Sequence, residues 1–292
     1  MKKICILSSE KFEGKIVEDI LLRDELKKAY ECDIVAWERV TEDIINNFCI
    51  FIVRSVWGYH KNYTKFLNLI LNIEKRGKCV LNSYENICDN ISKYNQIKFF
   101  EQNNIPYVPT IFFDKDIKTT TNYNIFNADA LVIKPSISAS GANTIKINKL
   151  DLNNIYKIYD EILKDSNQKL LIQPYIKAIE KGEYSCIVID NEFQYAVNRL
   201  PGIFTSQKGV KYIEEVPENI KIIVDNIIKV LKPLNLLFYR IDFLEYNNNY
   251  LVNELEMIDP DLFIKRLDVN LQEKEINKLS NLIIKKVKNL EV

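Results

Sequence analysis

The sequence predicts an α/β protein: a parallel sheet in the N-terminal part, followed by a mixed α+β arrangement. Two observations carry this. Over the first eighty residues short apolar runs alternate with segments of helical period, the pattern of parallel strands joined by crossover helices. In the C-terminal half, strand-like runs are joined by Asp190-Asn191 and by Asn247-Asn248-Asn249, the pattern of hairpins.

Ile4–Leu7 is an apolar run and reads as a buried strand. Ile16–Tyr30 carries Ile16, Ile20, Leu21 and Leu26 at helical spacing. Asp33–Trp37 and Cys49–Val53 are further strands. Asn62–Arg76 is a helix with Phe66, Leu67, Ile70, Leu71 and Ile73 on one side and Gly77 closing it, and Cys79–Leu81 is a fourth strand. In parallel sheets ligands sit beyond the C-terminal strand ends. Arg54-Ser-Val-Trp-Gly-Tyr59 follows such an end, so Arg54, Ser55, Trp57 and Tyr59 are candidate substrate contacts. Arginine can grip a carboxylate with two parallel bonds, and the aromatic pair can wall a small pocket. A surface arginine and a core tryptophan is the competing reading.

Ser92–Asn103 reads as a helix, with a domain boundary near residue 90, and Ile105-Pro-Tyr-Val-Pro109 as rigid extended chain leading into a strand. Leu131–Pro135 is a strand ending in Lys134, followed by a loop of small residues that includes Ser140 and Gly141, then the strand Thr144–Ile147. Small side chains let backbone N–H groups approach an anion, and a lysine at the end of an apolar strand needs a partner. Asp151–Asp165 is expected as a helix, Leu170–Ile176 as a strand stopped by Pro174, and Ile179–Glu183 as a turn. Tyr184–Ile189 and Phe193–Asn198 are strands, and Glu218–Leu231 and Leu271–Leu290 are helices.

Between those two helices lie Tyr239–Tyr246 and Tyr250–Ile258, two β-rich runs. With a three-asparagine loop, Tyr246 pairs with Tyr250 and Asp242 faces Glu254, with Glu256 on the same side. Val252 and Ile258 are expected on the glutamate face, and Leu251, Leu255 and Met257 on the other. Like charges directly opposite each other are destabilising, so this patch calls for a cation. Carboxylates suit Mg²⁺, which one or two of them hold while it also bridges phosphates. A solvated acidic face is the alternative, but apolar residues on both sides of the strand indicate burial, and buried carboxylates need partners.

Lysine plus arginine equals aspartate plus glutamate, 40 each, so no basic surplus points to nucleic acid. No apolar run reaches membrane-spanning length, and the first residues run straight into a strand rather than a signal peptide. Six cysteines without C-x-x-C spacing fit reduced thiols in a cytoplasmic protein. A single histidine, His60, leaves little for a catalytic triad or a zinc site.

In order, Ser92-Lys93, Val132-Ile-Lys-Pro135 with its small-residue loop, Leu171-Ile-Gln-Pro-Tyr-Ile176, Gly182-Glu183, Arg240-Ile-Asp242, and Glu254-Leu-Glu256 with Pro260 form a set. From about residue 80 to 265 this set resembles the ATP-grasp superfamily of ATP-dependent carboxylate ligases, within it the glutathione-synthetase-like and cycloserine-forming ligase-like group. Arg54–Tyr59 resembles the matching segment of cycloserine-type relatives. The resemblance implies a parallel-sheet domain over 1–90 and a two-subdomain ATP-grasp fold over 91–176 and 177–292. It implies ATP and one or two Mg²⁺ as cofactors. Lys93 and Lys134 then hold phosphates under a loop containing Ser140 and Gly141. Gln173, Tyr175 and Ile176 meet adenine, and Glu183 takes the ribose. Asp242, Glu254 and Glu256 ligate metal, and Arg240 and Arg199 steady the transferred phosphoryl group. Ser92 departs from the acidic residue often found there, and the acceptor loop at Leu200–Gly209 does not align. The implied partners are small carboxylate and amine substrates, with no nucleic acid or membrane, in a chain of a kind often dimeric. A small-molecule kinase or a non-catalytic nucleotide-binding protein on the same fold is the alternative.

Overall fold

The computed structural model describes residues 2–116, 126, 128–139, 141–163, 168–200 and 209–290. Three sheets organise them. The first is parallel, ordered β2-β1-β3-β4, from β1 (Lys3–Ser8), β2 (Glu31–Ala36), β3 (Ile50–Ser55) and β4 (Cys79–Leu81). Helices α1 (Val17–Leu26), α2 (Glu42–Asn47) and α3 (Tyr63–Lys75) connect them. β3 is buried along its whole length, as the central strand of a covered parallel sheet must be. One face packs Phe51 and Val53 against Phe66, Ile70 and Ile73 of α3.

Two short helices leave this sheet, α4 (Tyr84–Ile91) and α5 (Lys93–Gln102). Ser92 ends the first and caps the second, its hydroxyl accepting the Tyr94 N–H, so Lys93 stands at the first position of α5. The second sheet is antiparallel, ordered β5-β8-β6-β7, from β5 (Ile111–Phe113), β6 (Ala130–Pro135), β7 (Ile145–Asn148) and β8 (Leu170–Pro174). Leu131, Ile133, Leu170 and Ile172 turn to α6 (Ile155–Leu163). The helix expected over Asp151–Asp165 is shorter, because Lys149–Asn154 form a 3₁₀ turn. Asn153 and Asn154 are weak helix formers, which suits this turn.

The third sheet is antiparallel, ordered β11-β10-β9-β12-β13. Its strands are β9 (Glu183–Ile189), β10 (Glu192–Arg199), β11 (Val210–Ile213), β12 (Phe238–Tyr246) and β13 (Asn249–Glu256). Tyr239, Ile241 and Phe243 pack on Ile220, Val224 and Ile227 of α7 (Glu218–Leu231). The other face is apolar at one end, where Phe238, Ile187 and Ile189 share a core with the first sheet. The amphipathic α8 (Val269–Asn289) joins that core through Ile276, Leu279, Ile283 and Val287. Among the described residues no helix is long and apolar enough to cross a membrane.

The β12–β13 hairpin corrects two expectations. Its turn has two residues, Asn247 and Asn248, both at positive φ, and Tyr246 pairs with Asn249 instead of Tyr250. A bulge at Asn253 then adds one residue, and Asp242 still faces Glu254. The same bulge turns Val252 away from the glutamates, into the core with Leu255 and Met257.

Candidate active site

Alternation along β12 sends Arg240, Asp242 and Leu244 to the face opposite α7, and Glu254 and Glu256 stand beside them on β13. Asp242 is buried between two arginines. Arg240 donates to it from Nε at 2.8 Å and from Nη2 at 3.0 Å, and Arg199 adds a bond of 3.1 Å from β10. Burial alone pushes a carboxylate pKa up, but here the two guanidinium groups outweigh it and hold Asp242 below its usual range. Arg240 also pairs with Glu256. Burial, opposed by Arg240 but reinforced by Glu254 and Asp242, leaves the Glu256 pKa raised.

Glu183 opens β9 and pairs with Arg199, its neighbour across the sheet, while Asn253 donates to it at 2.6 Å. The bulge that preserves the Asp242–Glu254 register thus also supplies a donor to Glu183. The preceding Gly182 has φ +117°, and a Cβ there would lie 2.0 Å from Asn198 Oδ1. Only glycine fits this approach.

Lys93 Nζ lies 2.8 Å from Glu254 Oε1 and donates to the Ser138 carbonyl at 2.8 Å. One lysine therefore ties the small-residue loop to the hairpin. On the second sheet Val132 pairs with Gln173 and Lys134 with Leu171, so Lys134 and Gln173 share the face opposite α6. Lys134 is buried with no ion pair among the described residues. Its burial, with Lys93 nearby, pushes its pKa down to about 8, against the pull of Glu254 and Glu183. Lys93 and Lys134 together, after the opposing effect of burial, draw the Glu254 pKa below its normal value.

Beyond the charges, Val108, Ile176 and Leu244 form a small apolar cluster flanked by Leu251. Gln173 Nε2 donates to Thr110 Oγ1 at 2.9 Å, and the Thr110 hydroxyl donates to the Val108 carbonyl at 2.7 Å. Because that single hydroxyl proton is committed, Thr110 can only accept from Gln173, which fixes which way the amide points. Tyr175 lies under Lys146 Nζ, 3.4 Å from the ring centre, and donates to Glu180. Gly141 adopts φ +68° in the small-residue loop, while Ser140 and residues 201–208 of the expected acceptor loop lie outside the described residues.

The Arg54 segment is placed differently. Arg54 is 4% exposed and pairs with Asp19 at 3.2 Å and Glu18 at 3.3 Å from the first turn of α1. Ser55 bonds Ser8 and Asp19, and Tyr59 packs in the core against Phe66. Trp57 donates to the Asp259 carbonyl at 3.1 Å and Arg54 to that of Pro260 at 3.4 Å. The segment therefore braces the chain just after β13, next to the carboxylates.

Sequence reading passed over Asp259, which is buried against Glu256 and whose Oδ2 has no donor among the described residues. Burial first, then the charge of Glu256, pushes its pKa well up. A third acidic residue shortly after Glu254-Leu-Glu256 was the available signal. Glu18 and Asp19 were also missed, since their place on a helix start reads as solvent-facing dipole partners.

These residues fit a hard cation. Among the described residues no three acidic, histidine or cysteine side chains converge closely enough to hold an ion alone. Mg²⁺ does not need such a cage, because it takes one or two carboxylates and completes its shell with phosphate and water. Glu254, Glu256 and Asp242 supply the right donor type, and the buried Asp259 Oδ2, without a hydrogen-bond partner among the described residues, is a further oxygen there.

None of the curated proteins compared by sequence matches this chain. Solved structures do. D-cycloserine synthetase DcsG superposes with a TM-score of 0.80 at 13% identity, over 97% of this chain and 99% of that one. The D-alanine–D-alanine ligase of Bacillus anthracis complexed with ATP gives 0.70 at 15% identity, over 99% and 98%. The ATP-grasp ligase PsnB complexed with a minimal precursor gives 0.66 at 15% identity, over 96% and 98%. At these identities the likeness establishes the fold. The family model described as prokaryotic glutathione synthetase, ATP-grasp domain, matches residues 97–253, from the helix of Lys93 to the bulge of β13. That match spans more than half the chain, which therefore belongs to this family of ATP-grasp ligases.

Proposed function

We propose that this chain is an ATP- and Mg²⁺-dependent carboxylate–amine ligase that works through an acyl phosphate on a small amino-acid-like substrate. The observation that carries the reading is Glu254 between Lys93 and Lys134. These two lysines come from different elements, α5 and β6, and meet at the carboxylates of the β12–β13 hairpin. Four buried or half-buried carboxylates, Glu183, Asp242, Glu254 and Glu256, stand against four cations, Lys93, Lys134, Arg199 and Arg240. Such a balanced patch cannot take a nucleotide triphosphate by itself, but it can take one whose charge Mg²⁺ offsets. Bound Mg²⁺ supplies that neutralisation, and Asp242, Glu254 and Glu256 are the residues to hold it.

Lys93 and Lys134 bind phosphate oxygens, under the loop from Ser136 to Thr144. Val108, Ile176 and Leu244 accept the base, with Gln173, Tyr175 and the Ile176 backbone at its polar edge and Glu183 at the ribose. A carboxylate oxygen of the substrate attacks the γ-phosphorus and ADP leaves. The amine then attacks the acyl carbon, phosphate departs with the bonding electrons, and the amine proton passes to solvent. Arg240 and Arg199 stand where negative charge grows on the transferred group, the largest service a preorganised site can give. None of this needs histidine.

Two of the proteins with similar folds are a D-cycloserine synthetase and a D-alanine–D-alanine ligase, which supports a small amino-acid-like substrate. We assign 1–90 to the substrate side and 91–176 and 177–292 to the two halves of the nucleotide clamp. Incubation with ATP, Mg²⁺ and pooled amino acids, read by mass spectrometry, tests this. The expected result is ADP, phosphate and an amide-linked product in equal amounts. A stable phosphorylated amino acid instead assigns a kinase.

A further inference from the structure

β13 is an edge strand, yet its outer backbone groups are bonded in a definite pattern. Near the turn, the Val252 N–H donates to the Pro106 carbonyl and the Val108 N–H donates to the Val252 carbonyl, each at 2.9 Å, a parallel bridge centred on Tyr107. Past the bulge, side-chain amides continue the edge. The Leu255 N–H donates to Gln96 Oε1 at 3.2 Å, and Asn90 Nδ2 donates to the Leu255 carbonyl at 2.7 Å. The Met257 N–H donates to Asn90 Oδ1 at 2.9 Å, and Asn82 Nδ2 donates to the Met257 carbonyl at 2.7 Å. Asn90 thus gives to residue 255 and takes from residue 257, as the backbone N–H and C=O of one residue in a parallel strand do. Gln96 Nε2 also donates to the Asn90 carbonyl at 2.8 Å, locking the two amides together.

The bonded residues, 255 and 257, flank Glu256 and follow Glu254. Those two glutamates pair inward with Arg240 and Asp242 and present their side chains to the site. Gln96 is on α5, one turn from Lys93, whose Nζ meets Glu254 at 2.8 Å. Mere cover of an edge needs only that buried N–H and C=O groups be satisfied, and a loop or a helix does this anywhere along a strand. Here the bonds fall on the immediate neighbours of Glu254 and Glu256, and the one from Gln96 comes from the helix that carries Lys93.

We infer that Asn90 and Gln96 are positioning residues, which fix Glu254 and Glu256 against Lys93 so that cation and nucleotide bind as one unit. The inference rests on the nucleotide reading above and names how that site is held. The side chains act through the β13 backbone and touch neither ligand.

The test is calorimetric affinity of the full chain for ADP with and without Mg²⁺, in wild type, Asn90→Asp and Gln96→Met. Asn90→Asp keeps the acceptor for the Met257 N–H and loses the donor to the Leu255 carbonyl. Gln96→Met keeps volume and helix and removes both bonds, and it decides alone where Asn90→Asp fails to fold. In the wild type Mg²⁺ strengthens ADP binding. In the folded variants that enhancement falls by about tenfold or more, the scale on which outer partners of metal ligands act, while Mg²⁺-free affinity stays within about twofold. An unchanged enhancement, or equal loss with and without Mg²⁺, overturns the positioning role. Absence of enhancement in the wild type overturns the nucleotide reading, and this inference with it.

Discussion

Arg240 grips Asp242 through two parallel bonds, 2.8 and 3.0 Å long, in a setting where both side chains are almost wholly buried. The same guanidinium reaches Glu256 and the Asp261 carbonyl, so four acceptor atoms depend on one side chain. Buried pairs of this kind are costly to break, because the survivor is left charged and unmatched.

Arg240→Ala is therefore expected to destabilise the fold by about 3–5 kcal/mol in urea titration, with turnover lost. Arg240→Met/Asp242→Leu, which removes both charges, should recover part of that stability and none of the turnover. A single variant as stable as wild type would contradict the shared dependence on Arg240.

With Lys134 as the proposed phosphate ligand, nucleotide affinity is expected to depend on pH. Its pKa is about 8 in the free protein, and bound phosphate favours its charged form. Nucleotide binding above pH 8 thus takes up a proton, and affinity falls as pH rises, by about tenfold per unit at the limit. The sign for folding is opposite: a lysine whose folded pKa is depressed disfavours the fold at low pH, and this penalty lifts as pH rises from about 8 to the unfolded value. Calorimetry in two buffers of different ionisation enthalpy reads the proton directly. Lys134→Arg should flatten the profile.

Gly182→Ala places a methyl group 2.0 Å from Asn198 Oδ1 at a backbone angle that alanine resists. A cost of about 2 kcal/mol or more is expected, with weaker ATP binding because Glu183 is the next residue. Equal stability in thermal melts would contradict the close packing at this turn.

Thr110 sets the amide orientation of Gln173, so that the side-chain oxygen is the atom to accept from an amino group. Preference for ATP over GTP is expected, and Thr110→Val should reduce it by about tenfold by releasing the amide. Competition binding with the two nucleotides measures the ratio, and an unchanged ratio would remove Thr110 from this role.

The fold class was legible in the sequence because the period of its apolar residues changes from helix to strand where the sheets change. The carboxylate patch was legible for a less secure reason. The turn is one residue shorter than a three-asparagine loop, and the bulge at Asn253 adds that residue back, so Asp242 and Glu254 face each other through two compensating differences. Nothing local marks Asn253 as a bulge. The same shift carries Val252 out of the glutamate face, which alternation alone cannot foresee. Arg54 reads as a substrate contact because it stands near the end of a buried strand, and its ion-pair partners, Glu18 and Asp19, lie 36 and 35 positions away in sequence. Long-range pairings of this type leave no local trace. The amides Asn82, Asn90 and Gln96 were hidden for the same reason, in a chain where asparagine is common throughout.

The central claim is that Mg²⁺ and a nucleotide triphosphate meet on the Lys93–Lys134–Glu254 patch. A thermal-shift titration with a non-hydrolysable ATP analogue, with and without Mg²⁺, tests it most directly. At a hundredfold excess over the dissociation constant, binding stabilises the folded chain by about 2.7 kcal/mol, which raises the melting temperature. The account predicts a Mg²⁺-dependent rise that Lys134→Ala abolishes. No rise at millimolar analogue, or one indifferent to Mg²⁺ and to Lys134→Ala, would contradict it.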